Sequence, residues 1–124
     1  MEVLSLETTG STRDTRTAEH RSRQPRHELI GQRGAPVVVV LGGISATRHV
    51  AANENDPTPG WWDEIVGHGR AIDTRAFRVL GVDFLDGGRR ADGRPRRTIT
   101  THDQADHVVR VLDELRIDRI HSFV

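Results

Sequence analysis

The sequence predicts an α/β fold built on a mostly parallel sheet, and three observations carry that reading. Val37-Val38-Val39-Val40-Leu41 is a continuous apolar, β-branched run, the pattern of a strand covered on both faces. Residues 77–85, Phe-Arg-Val-Leu-Gly-Val-Asp-Phe-Leu, form a second run of this kind. A helix of amphipathic pattern then leads through the short connector Arg116-Ile117-Asp118 into a final apolar segment, residues 119–124. Strand, helix and strand with short connectors make a βαβ crossover, expected to be right-handed.

Taken in order, residues 7–34 are rich in Thr, Arg, Ser and Gly. They read either as a peripheral pair of antiparallel strands, at residues 3–7 and 27–30, or as a partly disordered arm. The division expected is therefore residues 1–34 as peripheral strands or arm and residues 35–124 as the core. After Pro36 the first core strand runs to Gly42-Gly43. Residues 51–60 form a loop by composition, and residues 61–66 a short helical turn. A Gly/Arg-rich loop over residues 86–97 follows the second strand. The helix is expected to open on a capping box of Thr101 and Gln104. Ala105, Val108, Val109, Leu112 and Leu115 would form its apolar face, with Asp106 and Arg110 spaced for mutual support elsewhere on its surface. Residues 119–124 read as a buried strand.

Composition narrows the function classes. The 124 residues carry 18 basic and 18 acidic side chains, so net charge points to neither nucleic acid nor an anionic membrane. The Arg-bearing arm also lacks interleaved aromatic residues for stacking on bases. Cysteine is absent, which excludes a disulfide scaffold, a thiolate metal site and a cysteine nucleophile. There is no signal-peptide pattern at Met1 and no apolar run of membrane-spanning length. A cytoplasmic location is the expectation, with small molecules as partners.

The residues that could carry chemistry cluster after the first strand. In Gly42-Gly43-Ile44-Ser45-Ala46, two glycines let backbone N–H groups turn outward at the carboxyl end of the sheet, where open α/β folds place ligands. Gly43, Ile44 and Ser45 are thus candidates for an oxyanion or substrate-binding turn. A tight turn that merely needs glycine is the competing reading. Ser45 follows an early strand, and its surroundings end in Thr47 where a nucleophile elbow has glycine, so it reads as part of the turn. His49, Trp61 and Trp62 are candidates for a pocket wall, although tandem aromatics are by default packing residues. Asp83, near the end of the second strand, reads as a turn residue. His102 and His107 stand five apart, not at a shared-face spacing, and no metal site is expected. Phosphate-loop and dinucleotide fingerprints are missing, and no bound cofactor is expected.

One stretch carries a more specific signal: Gly60-Trp61-Trp62-Asp63-Glu64-Ile65-Val66-Gly67-His68-Gly69-Arg70-Ala71-Ile72-Asp73-Thr74. It resembles the homoserine O-acyltransferase family of the α/β-hydrolase fold. That family carries a similar Gly-Trp-Trp segment, then Gly-x-Gly-x-Ala-Ile-Asp-Thr, then a strand opening near an aromatic, here Phe77. The resemblance covers about residues 35–124. It implies the N-terminal part of an α/β-hydrolase fold, truncated before the Gly-x-Ser-x-Gly nucleophile elbow, so that no catalytic residue falls within the chain. It further implies acyl transfer from a co-substrate acyl-CoA, acetyl-CoA or succinyl-CoA, to the hydroxyl of L-homoserine in methionine biosynthesis. Ile44 would supply an oxyanion N–H, and His49 matches a recurrent family histidine. A homodimer is an expectation for the full-length protein only. The family commonly has His-x-Leu-Thr-Gly where this chain has Gly42-Gly43-Ile44-Ser45-Ala46, and its longer loop after the second strand is replaced by residues 86–94. A hydrolase of esters or amides, or a catalytically inactive fragment, are the alternatives.

Overall fold

The computed structural model describes residues 26–43, 45–86, 91–94 and 97–124. The expected strand at residues 3–7, the remainder of the arm to residue 25, and Ile44 lie outside the described residues. The elements in order are β1 (His27–Gly31), β2 (Val37–Val40), β3 (Val66–Gly67), β4 (Ile72–Asp73), β5 (Arg78–Val82), α1 (Thr101–Glu114) and β6 (Ser122–Phe123). A four-stranded sheet has the order β1-β5-β2-β6, and β3 pairs with β4 in a small second sheet. The main sheet is parallel except for β1, which runs antiparallel to β5. A strand from the segment read as a peripheral pair or arm is therefore part of the main sheet.

The valine run occupies the interior because it has cover on both sides. Val37 and Val39 face α1 together with Leu80, Val82, Val108, Val111 and Ile117. Val38 and Val40 face the opposite layer, packing with Val50, Ala51, Val66 and Val79. All four side chains of β2 are essentially removed from solvent, each such burial contributing roughly 1.5–3 kcal/mol. Among the described residues, the second layer contains no long helix. It is made of the loop segments between β2 and β5, with Trp62, Ile65, Ile72 and Phe77 packed against it.

Gly81 decides where that layer crosses the sheet. A Cβ built there would collide with the carbonyl oxygen of Arg48 and lie 2.8 Å from a methyl of Val50. Only a residue without a side chain lets the backbone of residues 48–50 lie directly on β5. Residues 61–66 make the expected single turn, closed by the Val66 N–H donating to the Trp62 carbonyl at 3.0 Å.

Two details of the helix correct the sequence reading. The capping box is Thr100 with Asp103, not Thr101 with Gln104: Asp103 N–H donates to Thr100 Oγ1 at 3.1 Å, and Thr100 N–H donates to Asp103 Oδ2 at 2.9 Å. Asp103 carries a negative charge at the positive end of the helix. Gln104 is engaged elsewhere, its amide accepting from Leu85 N–H and donating to Leu85 C=O, each at 2.9 Å. This bidentate pair ties the chain beyond β5 to the start of α1. The apolar face is also rotated: Val108 and Val111 are buried and Leu112 and Leu115 half-buried, while Ala105 is exposed and Val109 is 54% exposed.

The terminal segment differs too. Its ladder is only Ser122–Phe123, paired with β2, and β6 is an edge of the sheet among the described residues. Ile120 packs against the core, but Phe123 and Val124 are 57% and 48% exposed. An edge strand has one neighbour, and alternation turns part of its apolar surface outward.

Packing therefore separates two superficially similar residues. Leu80→Ala, at a fully buried position, should cost about 2–5 kcal/mol in chemical denaturation. Val109→Ala should change stability by no more than about 0.5 kcal/mol.

Candidate functional site

The site is assembled at the carboxyl ends of β2 and β5. Leu41 leaves β2 with its N–H donating to the Val124 carbonyl at 2.8 Å, so the chain beyond β2 starts beside the end of β6. Ala46 N–H then donates to the Gly43 carbonyl at 2.9 Å, closing a turn over residues 43–46. Gly43 and Ser45 are exposed and Gly42 is half-buried. Gly42 is required by close approach: a Cβ there would collide with the Ala46 methyl and lie 2.8 Å from the Trp61 ring. Gly43 has open space where a Cβ would stand.

Trp61 covers this turn. Its indole N–H donates to the Thr47 carbonyl at 2.8 Å, and its ring stacks on Trp62 with centroids 5.7 Å apart and planes 10° apart. Trp62 continues inward to the second core layer. The backbone holds both in place, with Trp61 N–H donating to His49 C=O at 3.2 Å and Trp62 N–H to Val50 C=O at 2.8 Å. Asp63 fastens the intervening loop, its carboxylate accepting from the N–H groups of Ala52 and Gly60, both at 2.8 Å.

Beneath this strap lies a charged cluster that the sequence did not announce. Glu28 is opposite Gly81 in the β1–β5 ladder, so its side chain stands on the face where residues 48–50 cross. His49 Nδ1 is 3.0 Å from Glu28 Oε1 and 3.6 Å from Asp56 Oδ2, and its Nε2 is 2.7 Å from the Thr58 carbonyl. The side chains of His49 and Glu28 are only 15% and 20% exposed. Burial pulls the His49 pKa down. The hydrogen bond to Thr58, the bond and charge of Glu28, and the charge of Asp56 outweigh burial, leaving the pKa above its ordinary value. Asn53 donates to Glu28 Oε1 at 2.6 Å. Beyond it, Asp83 accepts from Arg48 N–H at 2.6 Å and from its guanidinium at 2.8 Å, so Asp83 anchors the strap at the end of β5.

Of the candidates from sequence, Gly43, Ser45 and Trp61 stand at the turn, Trp62 supports Trp61 from below, and Ile44 lies outside the described residues. His49 does not open onto the turn; its ring is directed at Glu28 and Thr58. Glu28, His49 and Asp56 present ligand atoms close enough together to surround a cation, yet the Glu28 and His49 atoms already serve one another. A cavity of about 740 Å³ adjoins this cluster at Asn53 and is lined also by Ile30, Gln32, Arg33, His68 and Arg75 among others. It reaches Gly31, which pairs with Arg78 at the opening of β5, so it sits toward the opposite end of the sheet from the turn. Sequence reasoning missed Glu28, Asp63 and Asn53. For Glu28 a signal existed: it alternates with Ile30, which faces the second core layer.

No family model matches the chain. A homoserine O-succinyltransferase of Xanthomonas campestris is 48% identical over 109 residues, which are 88% of this chain and 28% of that protein. That span reaches back before residue 35, further than the resemblance read from the motifs. An L-serine/homoserine O-acetyltransferase of Streptomyces lavendulae is 46% identical over 48 residues, 39% of this chain and 13% of its own length. Among solved structures, an esterase superposes with TM-score 0.64 at 28% identity, over 78% of this chain and 33% of the esterase. The homoserine O-acetyltransferase from Bacillus anthracis superposes with TM-score 0.64 at 24% identity, over 78% of this chain and 32% of that one, a likeness of fold. The chain thus spans well under half the length of the relatives it matches.

The two glycines of the turn should respond differently to a methyl group. Gly42→Ala should displace Trp61, visible as altered tryptophan fluorescence, and cost about 1–3 kcal/mol by overpacking; Gly43→Ala should leave both unchanged. The His49 cluster should give a pH signature. Because the folded pKa of His49 is raised, its stabilisation is fully present below the ordinary imidazole value of about 6.5 and is lost as pH rises through the folded value. The stability difference between the parent and His49→Gln, followed by thermal denaturation against pH, should therefore shrink on the alkaline side.

Proposed function

We propose, from the chain's membership of the homoserine O-acyltransferase family of the α/β-hydrolase fold, that it forms part of an enzyme moving an acyl group from acyl-CoA to the hydroxyl of L-homoserine. The donor in this reading is acetyl-CoA or succinyl-CoA, and the product feeds methionine synthesis. In this reading the serine nucleophile, its histidine base and the orienting aspartate lie outside this chain. What this chain contributes in that reading is the turn after β2.

The observation that carries this reading is the bond from Leu41 N–H to Val124 C=O. It sets the end of β6 beside the start of the turn. In the order of the fold, the nucleophile elbow follows this strand, so a serine there would stand next to residues 42–46. The serine would give its proton to the histidine and attack the thioester carbonyl, expelling CoA thiolate, which takes that proton. The homoserine hydroxyl, giving its proton to the histidine, would then attack the acyl-enzyme carbonyl, breaking the acyl–serine bond, and the proton would return to the serine oxygen. Both steps pass through a tetrahedral oxyanion, which in this reading backbone N–H groups of the turn, that of Ile44 among them, would stabilise. Trp61, lying over Gly42, fixes the turn.

The esterase likeness favours a second reading, in which water instead of an amino-acid hydroxyl takes the acyl group. The two differ in how the acyl-enzyme partitions. In a longer protein containing this chain, CoA release from acetyl-CoA or succinyl-CoA should depend on added homoserine and yield O-acylhomoserine. Acceptor-independent release, or turnover of simple esters alone, would establish the hydrolase instead. Replacing Ile44 by Pro removes the proposed donor and should lower kcat by about 10²–10³-fold.

A further inference from the structure

We propose that His49 is a positioning residue for the turn at residues 42–46, acting as an imidazolium that bridges Glu28 and the Thr58 carbonyl and so holds Trp61 over Gly42. The inference deepens the oxyanion reading of that turn and rests on it for its catalytic consequence, but its structural content stands separately.

The protonation state follows from the partners. Nδ1 faces the Glu28 carboxylate at 3.0 Å and Nε2 faces the Thr58 carbonyl at 2.7 Å. Both are acceptors without a proton to give, and the Thr58 hydroxyl, 3.3 Å from Nε2, donates its proton to Asp56 Oδ1 at 2.6 Å. A neutral imidazole has one N–H and can satisfy only one of them, leaving its other nitrogen with a lone pair against an oxygen lone pair. The imidazolium satisfies both, and each bond is then charge-assisted or aligned with a carbonyl. The surroundings agree. Glu28 from β1 and Asp56 from the loop present negative charge to the ring. The nearby cation, Arg48, is paired with Asp83. From β5 the residue beneath is Gly81, which brings no charge.

The coupling to the turn is short. His49 C=O accepts the Trp61 N–H at 3.2 Å, His49 N–H donates to Thr47 Oγ1 at 3.2 Å, and Thr47 C=O accepts the Trp61 indole N–H at 2.8 Å. The Trp61 ring then contacts the space above Gly42, which no side chain could share. When His49 loses its proton, one end of the bridge opens and the strap loses one of the anchors that hold the indole in place. The pH at which the turn is ordered is thereby set by His49.

The test reads His49 and the turn directly, without activity. In the chain labelled with ¹³C/¹⁵N-histidine and ¹⁵N-glycine and ¹⁵N-tryptophan, the His49 ring resonance (assigned by its loss in His49→Gln) should titrate above free imidazole. The amide resonances of Gly42 and Gly43 and the Trp61 indole N–H should move with the same midpoint. Glu28→Gln supplies an amide N–H that can donate to an unprotonated Nδ1, so the bridge persists with neutral imidazole. In that variant the His49 midpoint should fall and the Gly42 and Trp61 shifts across the former transition should disappear. If Glu28→Gln does not fold, Asp56→Asn removes one charge and keeps both hydrogen-bond partners; it should lower the His49 midpoint, with the Gly42 and Trp61 transition following it. A His49 midpoint at or below that of free imidazole overturns the proposal. So do glycine and indole resonances that ignore the His49 titration. Because these signals do not depend on acyl transfer, failure of the acyltransferase reading would leave them in place, and their failure would leave that reading untouched.

Discussion

The site depends on one missing side chain. Gly81 leaves room on the face of β5 for the backbone of residues 48–50, and everything above the turn follows from that crossing. Val50 and Ala51 drop into the second core layer. His49, between a strap held down by Val50 and an edge strand bearing Glu28, finds a carboxylate because Glu28 is the ladder partner of Gly81. Any Cβ at that position would lift the strap, separating the imidazole from its partner and the indole from the turn.

The strap is an unusual structural layer because it is mostly loop. Loops rarely cover a sheet, since their backbone polar groups need partners. Here the partners are side chains placed at intervals: Asp83 receives Arg48, Glu28 receives His49 and Asn53, and Asp63 receives Ala52 and Gly60. Asp83 and Asp63 thus accept backbone N–H groups of this segment as a helix does internally for itself, while Glu28 holds its side chains. The opposite face of the sheet is covered in the ordinary way by α1, whose cap and Gln104–Leu85 amide pair fix its start. Both faces of β2 are dry as a result, which gives the parallel strands their near-continuous apolar character.

The turn after β2 joins these two halves. It leaves the most buried strand beside β6 and is overlain by an aromatic ring whose own position is set by backbone contacts to the strap. Among the described residues, the turn is held by the packing of Trp61 on Gly42, by the anchoring of the strap and by the bond from Ala46 N–H to Gly43 C=O.

The sequence alone determined the elements that depend on local pattern. The valine run, the strand within residues 77–85, the helix and the mostly parallel sheet are legible because burial on both faces and helical periodicity are written as residue type. The Gly60-to-Thr74 stretch likewise carried the family relationship. Tertiary structure decided the rest, because it turns on contacts between distant segments. Thr100 and Thr101 are both plausible caps by local rule; the choice fell to Thr100 once Gln104 was drawn to Leu85. Val109 and Val111 are alike in composition, and only the sheet's position against α1 made one exposed and the other buried. Glu28 and His49 stand 21 residues apart, and nothing in either neighbourhood joins them. Their pairing exists because β1 docks antiparallel to β5 and a glycine lets the strap cross there, a geometry that no local pattern encodes.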